Sequence, residues 1–267
     1  MWFWQKRKKV GLALGSGGAR GLAHVGVIKT LLKNEVPIDM IAGSSSGALI
    51  GGFFAATGRT EKIEEIVDGV TYKDLVGVLV DPSWGAGLIK GEKTEKFLRN
   101  YLGEKKIEEL KTPFAAVATE VKTAEKVVFK KGDLVTAIRA SISVPLVYEP
   151  YVKEEKILVD GGVSYPVPVE VVREMGAEVV IAVNLDGVYF WQKESGFKKY
   201  PSSIEVLKDS YFALRHNLAK KEIATAEVVI EPKMEYVSDF DFVQGKKAIE
   251  AGEAAAAEQM AKIKSLI

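Results

Sequence analysis

Asp39-Met40-Ile41-Ala42-Gly43-Ser44-Ser45-Ser46-Gly47-Ala48-Leu49-Ile50-Gly51-Gly52-Phe53-Phe54-Ala55-Ala56 is the stretch on which the fold turns. Its first four residues read as a short buried strand, and Gly47 to Ala56 as a helix of small and apolar residues suited to the interior. Between them Gly43 to Gly47 match G-x-S-x-G, with Ser45 at the centre. A strand that turns sharply into a helix lifts its central serine above the sheet edge, and Gly43 and Gly47 leave room where side chains would collide. Five residues match easily by chance in a chain with 25 glycines. The strand-turn-helix setting is what gives this match its weight.

Outward from that turn, short apolar runs alternate with amphipathic stretches from Val10 to about Asn184. Val10 to Leu14, Phe114 to Val121, Lys126 to Phe129, Ile157 to Val159 and Val179 to Val183 read as strands. Ala19 to Asn34 and Leu134 to Ser141 read as helices. Such alternation predicts an α/β fold of three layers, α/β/α, around a mostly parallel central sheet. Residues 1–9 form an aromatic and basic tail, 10–185 the core, and 186–267 an extension of the same domain, where helices over Ile204 to Ala226 and Lys246 to Ile267 flank a strand at Val228 to Ile230.

Composition narrows the chemistry. The 37 Lys and Arg balance 36 Asp and Glu, so no global charge points to nucleic acid. No cysteine is present, which excludes disulfides and thiolate chemistry, and the imidazoles are His24 and His216. The N-terminus puts Trp2, Phe3 and Trp4 before a basic run, the reverse of a signal peptide, and no apolar run approaches the roughly 18 to 20 residues of a membrane span. A soluble or peripheral protein is expected, cytoplasmic or on the inner face of the membrane. Trp2 to Lys9, and Gly187 to Pro201 with Tyr189, Phe190, Trp191, Phe197 and Tyr200 among lysines, suit a bilayer interface. They equally suit a solvated tail, a core contact or an oligomer contact.

A second glycine-rich turn, Gly15-Ser16-Gly17-Gly18-Ala19-Arg20-Gly21, follows the first strand. A dinucleotide fingerprint needs glycine where Arg20 stands, and a P-loop needs a Gly-Lys-Ser/Thr run that is missing. An oxyanion hole fits better, with the Gly17 and Gly18 amides, aided by an amide next to Ser45, facing the negative oxygen of a tetrahedral intermediate. The bland alternative is a loop that merely lets helix and strand pack closely.

A serine nucleophile needs a base. His24 lies on a small, apolar helical stretch and reads as a core or supporting histidine, and His216 sits inside a helix rather than on a strand-to-loop junction. Asp160, in Leu158-Val159-Asp160-Gly161-Gly162, ends an apolar strand, where open α/β sheets collect functional groups. A carboxylate with a reference pKa of about 3.9 is a weak base for a hydroxyl unless it is desolvated, so such a site must be partly buried. Asp-Gly-Gly is also an ordinary turn sequence.

Taken in order, G-x-G-G-x-R-G, G-x-S-x-G and D-G-G resemble the bacterial and archaeal patatin-like phospholipases. Gly21-Leu22-Ala23-His24-Val25-Gly26-Val27 is similar to that family's first helix, and Arg139-Ala140-Ser141-Ile142-Ser143-Val144-Pro145 to its A-S-x-S-x-P block. The resemblance covers roughly Val10 to Asn184. It implies a Ser45–Asp160 dyad without histidine and an oxyanion hole at Ser16, Gly17 and Gly18. Many members have glycine where Ser16 stands, so Gly17 and Gly18 are the safer carriers. It further implies hydrolysis of a lipid or other acyl ester through an acyl-enzyme, with no metal or cofactor. Arg20 stands beside either a phosphate headgroup or the loop itself. The rival reading is a non-catalytic relative that binds lipid or protein.

Overall fold

The structure is a computed structural model that describes residues 7–69, 81–83, 87–187, 202–234 and 244–267. Its strands are β1 Val10–Leu14, β2 Met40–Ser44, β3 Gly87–Ile89, β4 Phe114–Glu120, β5 Lys126–Phe129, β6 Leu146–Tyr148, β7 Tyr151–Lys153, β8 Lys156–Asp160, β9 Val179–Val183 and β10 Val228–Ile230. Its helices are α1 Ala23–Lys33, α2 Ser46–Thr57, α3 Glu61–Gly69, α4 Glu92–Leu102, α5 Leu134–Ser141, α6 Val169–Glu174, α7 Ser203–Glu222 and α8 Gly245–Leu266.

Every residue of β1, β2, β4 and β9 is buried, as strands covered on both faces require. The main sheet runs β10-β9-β1-β2-β4-β8-β7, with β5 also on β4. From β10 to β4 the pairs are parallel, while β8, β7 and β5 join antiparallel. Alternate side chains feed two cores. Leu12, Leu14, Ile41 and Phe114 face one core with α1, α2 and α8, and Ala13, Ala42, Ala115 and Ala182 face the other with α6 and Ala219 of α7. The architecture is thus the expected α/β fold, helices covering both faces of a mostly parallel sheet.

The second core is lined on the sheet side mainly by alanines. α8 lies along α1, and glycine makes that possible: a Cβ at Gly26 would overlap the Ile249 carbonyl, and one at Gly252 the Ala23 carbonyl. β10 extends the sheet beside β9.

Two differences from the sequence reading have physical causes. The helix expected from Ala19 opens with a tight 3-10 turn over Gly18–Leu22, because Gly18 takes φ 55°, and the α-helix begins at Ala23. β3, β6 and β7 are three residues each, too short for any period-two pattern to stand out. The aromatic segments weighed as bilayer contacts lie outside the described residues except for Gly187 and Arg7 to Lys9. Arg7 is held by Asp39 through two bonds of 2.6 and 2.7 Å. Among the described residues no helix is long and apolar enough to cross a membrane.

Candidate active site

Two strands that run in opposite directions bring Ser44 and Asp160 opposite neighbouring residues of β4. β2 runs parallel to β4 with Ser44 opposite Val117, and β8 runs antiparallel to β4 with Asp160 opposite Ala118. β5 overlaps both pairings along β4, at Val117 and at Ala118, and so occupies the opposite edge. β2 and β8 therefore share one edge of β4 and meet head to head, their C-terminal residues facing neighbouring positions. Asp160 is the C-terminal end of a strand, as expected, and that strand is one of the antiparallel members of the sheet. It arrives from the far side of the sheet on a strand that stops halfway.

Ser45 sits between β2 and α2 with φ 55° and ψ −122°, a conformation that a residue with a side chain adopts only under strain. The surroundings enforce it. A Cβ at Gly43 would overlap the Gly47 carbonyl, and one at Gly47 the Leu14 and Gly15 carbonyls. The Ser45 amide donates to Ser141 Oγ at 2.9 Å, and that hydroxyl donates to the Val117 carbonyl at 2.6 Å. Ser141 thus pins the turn to β4.

The glycine loop lies against this turn. Gly15 donates to the Val183 carbonyl at 3.0 Å and Ser16 to the Pro166 carbonyl at 2.8 Å. Among the described residues the Gly17 and Gly18 amides donate to no protein carbonyl. Ser16 contributes differently: its amide is committed to Pro166, and its hydroxyl donates to Ser44 Oγ at 3.1 Å, tying the loop to the residue before Ser45. Gly21 completes the contact, since a Cβ there would overlap Ser46.

Under the loop, fully buried His24 bonds the Gly15 carbonyl through Nε2 at 2.7 Å. Burial pushes its pKa down to about 4 against the opposing pull of that bond, so at neutral pH it is an uncharged donor. His24 is a support, as its apolar setting suggested.

Asp160 is 1% exposed and Ser45 5%, so both lie beneath the surface. The Asp160 carboxylate accepts from the Gly162 amide at 2.7 Å, so Asp-Gly-Gly forms a turn capped by its own aspartate. A Cβ at Gly162 would overlap Ser16 Oγ and the Asp160 carboxylate, and one at Gly161 the Val117 carbonyl and Ser44 Oγ. The Asp160 amide donates to the Ser143 carbonyl at 2.9 Å. Ser143 is itself fixed by Arg139, whose guanidinium donates to Ser143 Oγ at 2.7 Å and to the Lys90 and Glu149 carbonyls at 2.5 and 3.1 Å. One short block therefore aligns both residues, Ser141 through the Ser45 amide and Ser143 through the Asp160 amide.

Arg20 is placed with the loop. It is 3% exposed and donates to the Leu185 carbonyl at 2.7 Å and to Asp186 Oδ1 at 3.1 Å. His216, on α7, bonds the Asp186 carbonyl through Nδ1 at 2.6 Å. The sequence alone discloses no role for Ser141, Ser143, Asp186 or Arg215, which also binds Asp186. Asp186, three residues past the end of β9, is the one that the strand-end rule could have found.

The sequence model described as patatin-like phospholipase matches residues 12–173. An uncharacterized NTE family protein of Mycobacterium tuberculosis is 42% identical over 180 residues, 67% of this chain and 49% of that protein. A second one from the same organism is 28% identical over 269 residues, 93% of this chain and 46% of that protein. The chain thus spans about half the length of these curated relatives. Among solved structures, VipD from Legionella pneumophila superposes with a TM-score of 0.58 at 13% identity, over 98% of this chain and 67% of that one, a likeness of fold.

Proposed function

Because the chain belongs to the patatin-like phospholipase family, we propose that it is a serine lipid acyl hydrolase in which Ser45 is the nucleophile and Asp160 its base. The head-to-head meeting of β2 and β8, which sets Ser44 and Asp160 opposite neighbouring residues of β4, supports the reading. As Ser45 Oγ bonds to the ester carbonyl carbon, its proton passes to the Asp160 carboxylate. The carbonyl oxygen takes the negative charge and is met by the Gly17 and Gly18 amides, with the amino end of α2 behind it. Collapse of the intermediate expels the alcohol, which leaves with the proton from Asp160. Water then attacks the acyl-Ser45, gives its proton to Asp160, and the acid departs as Ser45 recovers a proton.

Burial is the condition such a base needs, and Asp160 is 1% exposed. In water a group with a reference pKa of about 3.9 has little pull on a hydroxyl proton, and removing solvent raises its basicity. An apolar acyl chain entering beside Ser45 would exclude water further. The ordering of Ser45 and Asp160 by separate serines of one block supports a site built for transfer between fixed groups, since such reactions lose rate steeply with small misplacement.

Hydrolysis of p-nitrophenyl esters of graded chain length, with EDTA throughout, tests the proposal on wild type, Ser45→Ala and Asp160→Asn. Turnover that peaks at one chain length and falls at least ~10³-fold in both variants is expected. Equal background rates in all three proteins would instead favour a relative that binds lipid without cleaving it.

A further inference from the structure

We infer that Asp186 and Arg215 are positioning residues for the oxyanion hole, so that the catalytic apparatus extends past the family match into α7; this rests on the reading of Gly17 and Gly18 given above. Asp186 lies between two arginines from opposite ends of the chain. Arg20, on the glycine loop, donates to its Oδ1 at 3.1 Å, and Arg215, on α7, grips both oxygens, Nε to Oδ2 and Nη2 to Oδ1, each at 2.7 Å. The side chains of Arg20, Asp186 and Arg215 are 4%, 8% and 6% exposed, so little solvent screens the cluster. A fork gripping both carboxylate oxygens fixes direction as well as distance.

The cluster bears directly on the hole. Gly17 is pressed on Leu185, where a Cβ would overlap the leucine side chain, and Arg20 also donates to the Leu185 carbonyl at 2.7 Å. Residues 17–21 are thus clamped at one end by 185–186 and at the other by Gly21 on Ser46. Segment 184–187 is in turn held by α7 through Arg215 and through His216 on the Asp186 carbonyl. The Asp186 amide closes a turn onto Asn184 Oδ1 at 3.0 Å. Burial by itself would raise the Asp186 pKa, but Arg215 first and Arg20 second outweigh it and keep the carboxyl below its usual value, ionised for both forks.

Loosening the clamp shifts amides whose value lies in the transition state alone, so the loss falls on kcat and spares KM. The full chain is compared as wild type, Asp186→Asn, Arg215→Met, Arg215→Lys and Leu214→Ala, the last a 65% exposed neighbour on α7. Turnover of a p-nitrophenyl ester is normalised to folded protein by circular dichroism and followed well below each melting temperature. Asp186→Asn and Arg215→Met are expected to lower kcat ~100-fold, the scale of one lost oxyanion donor, with KM within about twofold. Arg215→Lys, which keeps the cation but not the fork, is expected to fall ~10-fold, and Leu214→Ala to match wild type. Fluorophosphonate labelling of Ser45 should slow in the same order.

Folded variants with kcat within about threefold of wild type, or with KM raised and kcat kept, would overturn the inference. If Arg215→Met does not fold, Arg215→Lys decides alone, by a ~10-fold fall or none. A wild type that neither turns over nor labels at Ser45 sinks the dyad reading and this inference with it; an active wild type with unaffected variants sinks only the inference.

Discussion

The Ser45 turn and the Asp160 turn face each other beside the middle of β4, yet they are built on different terms. Ser45 holds φ 55°, and close backbone contacts at Gly43 and Gly47 keep it there. Asp160 sits at φ −48° and ψ 137°, a relaxed conformation, and its carboxylate caps its own turn through Gly162. On the proposed reading Ser45 needs a particular backbone shape, whereas Asp160 needs only a particular place. Shape is enforced locally and marks the sequence with glycines; place is set by strand pairing and marks it hardly at all.

The largest effect expected from this contrast is on folding. At Gly47 an added Cβ meets the carbonyls of Leu14 and Gly15, which belong to a buried strand and its loop and cannot give way. Gly47→Ala should lose about 3 kcal/mol or more in urea denaturation. At Gly162 the added Cβ meets the movable ends of Ser16 and Asp160. Gly162→Ala should lose only about 1–2 kcal/mol while its turnover collapses, because the displaced groups belong to the proposed site. Equal losses at both positions would erase the distinction.

A second difference appears with acid. The Asp160 turn hangs on the Ser143 carbonyl, whereas the loop beside the Ser45 turn hangs on neutral His24. The folded pKa of His24 is about 4 against 6.5 in the unfolded chain, so the unfolded chain takes up the proton first as pH falls. Its contribution is intact above about pH 6.5 and is lost progressively toward pH 4, a fall of about 3 kcal/mol. Carboxylates titrate over the same window, so the comparison is with His24→Gln, whose amide can still donate to Gly15. Wild type should lose about 3 kcal/mol more than this variant between pH 6.5 and 4 in parallel urea titrations. Parallel curves would mean that His24 is not held neutral.

The same contrast explains what the sequence disclosed. The turn around Ser45 was legible because Gly43 and Gly47 are unavoidable there, and the layered fold because buried strands and amphipathic helices have different periods. Asp160 was legible as the end of an apolar strand, but the direction of β8 was not, since nothing in Lys156 to Asp160 says which edge of β4 it will join. Arg215 was hidden for a similar reason: it stands 29 residues from Asp186, inside a helix whose sequence carries no sign of a buried ion pair. Ser141 and Ser143 stood out as part of a family block, yet only the folded chain gives them roles, one amide each.

The smallest effect is the most discriminating, because the two turns should respond with opposite signs. Strain of the Ser45 kind costs on the order of 1–3 kcal/mol, and glycine, free at positive φ, escapes it at an unfolded-state entropy cost of about 0.5–1 kcal/mol. Ser45→Gly should therefore be inactive but about 1 kcal/mol more stable than wild type, while Ser45→Ala, which keeps its Cβ, gains no such relief. Asp160→Gly has no strain to release at φ −48° and loses the bond to the Gly162 amide, so it should be about 1–2 kcal/mol less stable. Urea midpoints that move up for Ser45→Gly and down for Asp160→Gly would separate a residue held against its backbone preference from one that is merely delivered; movement in the same direction would show that the Ser45 turn stores no strain.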